Sequence, residues 1–338
     1  MSRVLVTGGA GTIGAAVVRR LLSDPNHEVR VSDQREAPQW MREGCEVHTG
    51  DLRSLEQART AIKGCSHVIH LAAIVGGIAN FHKLPYTLTE VNNALYNAIF
   101  RASLDAGVER FTYVSSSMVF ERAELFPTPE DYLTQCPVPV SAYGYSKLTG
   151  EVYVRAAHEE HGLPYTICRP FNAYGPGEVP DAEPGIAHAV PDLINKVLAG
   201  QRPLQIFGSG EQTRTLTHVE DIADGIVTAM SSPAGLNEDF NISASRELSV
   251  AEIARIIWEA CGEDPGDFEL EHLTTFAVDV QRRWPSVEKA RALLGWEARI
   301  SVEDGIASTV AWLRSRAASA PAPRTARRRS ARRVGRAV

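Results

Sequence analysis

The chain has 338 residues, 44% of them hydrophobic and 22% charged, the composition of a globular protein with a sizeable core. No run of about eighteen apolar residues occurs, which excludes a membrane-spanning helix, and the N-terminus enters a strand-like segment without the apolar region and cleavage site of a secretory signal. The formal charge of −6 is unevenly placed: from Pro321 onward there are seven arginines and no acid, so the body is an acidic globule, unsuited to binding nucleic acid, with a disordered basic tail. The five cysteines (Cys45, Cys65, Cys136, Cys168 and Cys261) are scattered and never form a Cys-x-x-Cys pair. That usage argues against a zinc site or a disulfide framework and fits a reducing cytoplasm.

Taken in chain order, residues 3–8, 27–33, 45–51, 67–73, 110–116 and 165–170 read as strands rich in Val and Ile. Helical patterns separate them, for example at 12–23 and 89–108. Strands apolar on both faces and separated by helices imply parallel strands between two helical layers, a doubly wound α/β sheet. After Pro170 the pattern loosens into Gly- and Pro-rich loops, then helices near 188–199, 219–231, 249–261, 286–295 and 302–316, with brief strands near 204–207 and 239–242. The expected organisation is a cofactor domain over 1–170, a smaller α/β substrate lobe over 171–316 with the chain crossing between lobes, and a tail over 317–338. The substrate cleft is expected between the lobes.

The first strand runs into Thr7-Gly8-Gly9-Ala10-Gly11-Thr12-Ile13-Gly14, with a helix starting near Thr12. In such a turn Gly8 permits the tight bend, Gly11 lets the backbone approach a pyrophosphate, and Gly14 lets the helix pack on the strand. The helix N-terminus then offers its amides to the phosphates. Asp33 closes the second strand, where a carboxylate accepts bonds from a ribose 2′-hydroxyl and repels a 2′-phosphate, so NAD is expected over NADP. Arg35 is the counter-signal. Asp51, ending the third strand, has two readings, an adenine contact or a helix N-cap.

At the end of the fifth strand stand Ser115-Ser116-Ser117-Met118-Val119-Phe120, and Ser141-Ala142-Tyr143-Gly144-Tyr145-Ser146-Lys147 opens a helix. Tyr143 and Lys147, four apart, share a helix face. A phenol titrates near ~10, too high for a base at neutral pH; a neighbouring ammonium and a positive nicotinamide are expected to lower it, with a serine hydroxyl on the reacting oxygen.

These segments, in this order, resemble the extended short-chain dehydrogenase/reductases, the NAD-dependent epimerase/dehydratase family of nucleotide sugars. The likeness spans about residues 3–316. It extends to Leu71-Ala72-Ala73, Asn92, the run from Arg169 to Pro176, the run from Gly208 to Arg214, and Thr217 to Asp221. It implies a Rossmann-type fold and a catalytic set of Ser116, Tyr143 and Lys147, with Tyr143 the base and Lys147 its electrostatic partner and ribose clamp. For the cofactor it implies Gly8, Gly11, Thr12, Ile13, Gly14, Asp33, Asp51, Leu52, Leu71, Ala72, Ala73, Asn92, Ser115 and Pro170 beside the catalytic pair. For a nucleotide-diphosphate sugar it implies Gly76, Ser117, Asn172, His188, Arg214 and Arg282, although Arg282 and Arg283 also read as a surface charge pair. Phe81-His82-Lys83 is placed at the cleft rim. A homodimer through segments 88–106 and 145–160 follows from the same likeness.

Within that family, dehydratases and decarboxylases place a proton-transferring acid where this chain has Met118, and the 3,5-epimerases place their cysteine base there. His188 stands where the latter keep an acid. The remaining reading is a 4-epimerase acting on a UDP- or GDP-hexose or hexuronate. Its alternatives are a 4-keto-sugar reductase or 3,5-epimerase/reductase using NADPH and, outside enzymes, a cofactor-sensing binding protein.

Overall fold

A computed structural model describes residues 2–75, 83–181, 187–274 and 280–319. Seven strands form one sheet: β1 (Ser2–Thr7), β2 (His27–Asp33), β3 (Glu46–Thr49), β4 (His67–His70), β5 (Arg110–Val114), β6 (Tyr165–Pro170) and β7 (Glu238–Ile242). Every pairing is parallel, in the order β7-β6-β5-β4-β1-β2-β3. Successive residues of β1, Val4, Leu5 and Val6, are wholly buried because helices cover both faces of the sheet. Helices α1 (Thr12–Leu22), α2 (Gln39–Gly44) and α7 (Val219–Ser231) build the core on one face. Helices α3 (Leu55–Ile62), α4 (Pro85–Ala106) and α5 (Ala142–His161) build it on the other. Strand order reverses at β1, between β2 and β4, and the crevice that such a reversal opens lies at the carboxyl ends of the strands.

The strands stop earlier than the sequence pattern indicates. β4 ends at His70 and β5 at Val114, so Leu71–Ala73 and Ser115–Ser116 emerge as loops at that crevice. Residues 239–242 read in the sequence as a brief strand among the elements after Pro170. They belong to β7, whose Phe240 lies opposite Cys168 of β6, and Phe240 and Ile242 are fully buried. Helix α7 likewise packs with α1, so the polypeptide returns to the sheet between 217 and 242.

The smaller lobe has its own apolar core from α6 (Ala189–Leu198), α8 (Val250–Ala260) and α10 (Val302–Ser319), with Trp258 and Ile257 at its centre. A capping box closes the start of α8, Ser249 accepting from the Glu252 amide and the Glu252 carboxylate from the Ser249 amide. Helix α9 (Glu288–Leu294) packs beneath β7 on the main sheet. The five cysteines are free, and no helix among the described residues is long and apolar enough to cross a membrane.

Candidate active site

A cavity of about 600 Å³ runs from the β-strand ends to the smaller lobe. At its sheet end the glycine turn is built by contact. Gly8 takes a left-handed φ of 69°, and its carbonyl accepts from the Gly11 amide at 3.0 Å. A Cβ on Gly14 would stand 2.2 Å from that carbonyl oxygen, so only glycine lets α1 start there. A Cβ on Gly8 would meet the Ala72 backbone at 2.9 Å. Helix α1 is entered from Gly11 with no side-chain cap, which leaves its first turn suited to a diphosphate. Ile13 and Leu71 line the cavity beside this turn, and Thr12 lies against Gly177.

Asp33 ties the turn to β2: its Oδ2 accepts from the Ala10 amide at 3.0 Å. Burial pushes its carboxyl up, but the Arg35 side chain and amide more than offset this and hold it below its ordinary value. Arg35 therefore folds onto Asp33, occupying it rather than standing as a separate phosphate receptor. Asp51 does not cap the next helix. That cap is Ser54, which accepts from the Gln57 amide, while Asp51 pairs with Arg53 and Leu52 is buried. Asn92, fully buried on α4, braces the loop after β4 by accepting from the Ile74 amide at 2.8 Å. Gly76, Phe81 and His82 lie outside the described residues, and Lys83 is exposed.

The catalytic candidates converge on the middle of the cavity. Ser141 caps α5 through the Gly144 amide, and one turn on Tyr143 and Lys147 face the end of β5. Gly150 allows this approach: a Cβ there would lie 2.1 Å from the Tyr113 hydroxyl, which donates to the Lys147 carbonyl. The Ser116 hydroxyl accepts from the Met118 amide at 3.2 Å and acts on the Tyr143 phenol. Burial pushes the Tyr143 phenol up to about 12, with Ser116 acting in the opposite direction. The depression expected from Lys147 is not seen, since the ammonium donates to the Val114 carbonyl at 2.9 Å rather than to the phenol. Lys147 is itself lowered to about 8 by burial, against the pull of Glu151. Ser115 lines the cavity, but its hydroxyl is turned to Glu151 at 2.6 Å. Pro170 and Ser117 complete this part of the lining.

Toward the smaller lobe the cavity is cationic. Arg214, Asn172 and His188 line it. Asn172 adopts a φ of 39°, and its amide donates to the Thr215 carbonyl. Arg282 lies outside this lining. Residues 282–283 form a two-residue strand, and neighbours on a strand point to opposite faces. Arg282 turns outward to fork onto Glu247, whereas Arg283 enters the cavity and donates to Asn172 Oδ1 at 3.2 Å. Arg283 also contacts the Met118 sulfur.

Two further side chains escaped the sequence reading. Glu178 accepts from both the His188 amide and Nδ1, the latter at 2.7 Å. Burial pushes His188 down, but Glu178 more than offsets this and raises it above its ordinary 6.5. Glu121 lines the cavity and accepts from the Val140 and Ser141 amides, fixing the entry to α5. Neither carries a sequence signal, because each partner is distant along the chain or in an irregular loop.

The profile of the NAD dependent epimerase/dehydratase family matches residues 4–243. The chain is 30% identical to a UDP-glucose 4-epimerase from Mycolicibacterium smegmatis, with 93% of this chain and 99% of that protein aligned. It is 28% identical to UDP-glucuronic acid decarboxylase 1 from Xenopus tropicalis, over 92% of this chain and 72% of that one. The crystal structure of UDP-glucuronic acid 4-epimerase from Bacillus cereus, in complex with UDP-glucuronic acid and NAD, superposes with a TM-score of 0.82 at 25% identity, over 93% and 99% of the two chains.

Proposed function

We propose that this chain, which belongs to the NAD-dependent epimerase/dehydratase family, is a nucleotide-sugar 4-epimerase. The cofactor is NAD, and the glycine turn with Asp33 suits it: a Cβ on Gly11 would lie only 3.2 Å from the Gly8 carbonyl, at the start of an uncapped helix. Bound there, NAD supplies the acceptor and donor of hydride at the sugar C4. The protein's own groups do the rest. Tyr143 takes the C4 hydroxyl proton and returns it, Ser116 holds the reacting oxygen, and Lys147 provides the cation one helical turn away. Moving a phenol from about 12 to neutrality amounts to roughly 7 kcal/mol of electrostatic stabilisation, so buried positive charge is the central requirement. Arg214, Arg283 and His188 form the cationic part of the cavity suited to a diphosphate.

The observation that carries the reading is that, among the described lining residues and apart from His188, no acid or base beside the catalytic trio is left unengaged. Position 118 is a buried methionine. Among the described lining residues the carboxylates are Glu121, fixed by two backbone amides, and Asp192, paired with Lys196 at 2.8 Å. Oxidation and re-reduction at C4 need neither. The His188–Glu178 pair favours one second reading, acid–base chemistry at C3 or C5. The substrate class proposed is a UDP- or GDP-hexose or hexuronate. The test is incubation of purified protein with each, without added cofactor: one should yield its C4 epimer, and Tyr143→Phe should abolish this. Turnover only with NADPH and a 4-keto sugar would overturn the proposal.

A homodimer is proposed through the outer faces of α4 and α5. There Phe100 stacks on Tyr153 at 5.6 Å beside Val152, which is 59% exposed. Light scattering should give twice the chain mass, falling to one with Val152→Arg.

A further inference from the structure

Behind the cavity, on the side of Lys147 away from the lining, lies a buried chain of charges. Tyr143, Lys147 and Glu151 follow one another at four-residue spacing on α5 and share a face. Glu151 is 1% exposed, and both of its oxygens are engaged. Oε1 accepts from Ser115 Oγ at 2.6 Å and Arg169 Nε at 2.8 Å; Oε2 accepts from Arg169 Nη2 at 2.7 Å and lies 4.0 Å from Arg155. Arg169, from β6, is fully buried and also bonds Asp239 of β7 at 2.8 Å, which in turn takes Lys289 of α9 at 2.6 Å.

A carboxylate one turn from a buried lysine would ordinarily capture it in a salt bridge. Here the Arg169 fork and Ser115 occupy the carboxylate, and the ammonium donates instead to the Val114 carbonyl at the end of β5. An ammonium has three donors, so this bond leaves two for the cavity that Lys147 lines. We infer that Glu151, locked in place by Arg169 and Ser115, is a positioning residue that keeps Lys147 cationic through its field while leaving the ammonium available to the cavity. The inference rests on the assignment of Lys147 to the active site but not on the identity of the sugar.

Other titratable groups around Lys147 do not compete in the same pH range. His70 of β4, with its Nδ1 on Thr7, is pushed down to about 3 by burial. Tyr113 of β5, whose ring centre is 5.4 Å from the ammonium, is held well above its ordinary value by burial. Tyr96 of α4 and Tyr143 are raised for the same reason. Arg169 is raised by its two carboxylates despite burial, Asp239 is lowered by Arg169 and Lys289 despite burial, and Lys289 is raised. Lys147, lowered to about 8, is the group of this cluster poised to lose its charge near physiological pH. Full burial without a partner lowers a lysine by up to about 3–5 units.

The test is direct titration, independent of turnover. The chain has five lysines, so 13Cε-lysine NMR gives a simple spectrum in which Lys147→Arg assigns the active-site line. The wild-type line should titrate near 8, Glu151→Gln should lower its midpoint by about one unit or more, and Glu151→Asp should leave it within about half a unit. The alkaline limb of kcat should move by the same amount. An unmoved midpoint in a folded Glu151→Gln would overturn the inference, even if kcat falls. Should that variant not fold, a wild-type midpoint below about 7 with Glu151 in place would overturn it equally. Failure of the sugar reading alone would leave these titrations unchanged.

Discussion

The glycine turn makes a prediction in which two neighbouring glycines fail differently. In Gly14→Ala the new methyl meets the Gly8 carbonyl oxygen at 2.2 Å and Gly9 Cα at 2.7 Å. Both obstacles are backbone, so α1 must withdraw by about 1 Å from a close-packed sheet, at the upper end of the ~1–3 kcal/mol range for overpacking. For a chain of this size about 1 kcal/mol moves Tm by roughly 2 °C, giving a loss of about 6 °C. In Gly11→Ala the methyl meets Gly8 O at 3.2 Å and the flexible Arg35 guanidinium at 3.3 Å, and φ is −76°, ordinary for alanine. Restricting the unfolded chain offsets that contact by ~0.4–1 kcal/mol, so Tm should stay within about 2 °C. In the role proposed for Gly11, its backbone would meet the NAD pyrophosphate, so the methyl should lower NAD affinity at least about tenfold, ~1.4 kcal/mol. Scanning calorimetry and the NAD retained per purified chain read the two effects separately. A Gly14→Ala protein melting like the wild type, or a Gly11→Ala protein retaining NAD in full, would refute the account of the turn.

Arg283→Ala should raise KM for the nucleotide sugar at least about tenfold, and Arg282→Ala, whose guanidinium pairs with Glu247 and stacks on Phe126 and Trp284 outside the cavity lining, less than about twofold, in steady-state kinetics. Because Glu178 raises His188 above 6.5, the imidazolium is present below that value and lost as pH rises through the raised one. KM should therefore climb on the alkaline side, and Glu178→Gln should shift the climb to lower pH. Arg169→Met leaves Glu151 and Asp239 buried without their common cation and should cost about 3–5 kcal/mol in urea unfolding.

The parts of this site that could be read from sequence are those encoded over a few residues. The Gly8–Gly14 turn, the four-residue spacing of Tyr143 and Lys147 and the serines after β5 each follow from local backbone rules, and the structure brings them to one crevice. What escaped depends on approach between distant segments. β7 is too short to show its sheet membership, which depends on pairing with β6 some seventy residues earlier. The side that Arg282 and Arg283 each take is set by a two-residue strand laid against Thr213–Arg214. Glu178 becomes a partner of His188 only through the approach of its side chain to the start of α6. Glu151 did carry a signal, one further step of the Tyr143–Lys147 spacing, but its meaning depends on Arg169 arriving from β6.

The central claim is tested most directly with a nucleotide sugar carrying deuterium at C4, turned over in ordinary water and followed by NMR. Conversion to the C4 epimer with the deuterium kept at C4, and no solvent hydrogen entering C3 or C5, is the predicted result. Solvent exchange at C3 or C5 would contradict it and make His188 and Glu178 the chemical centre.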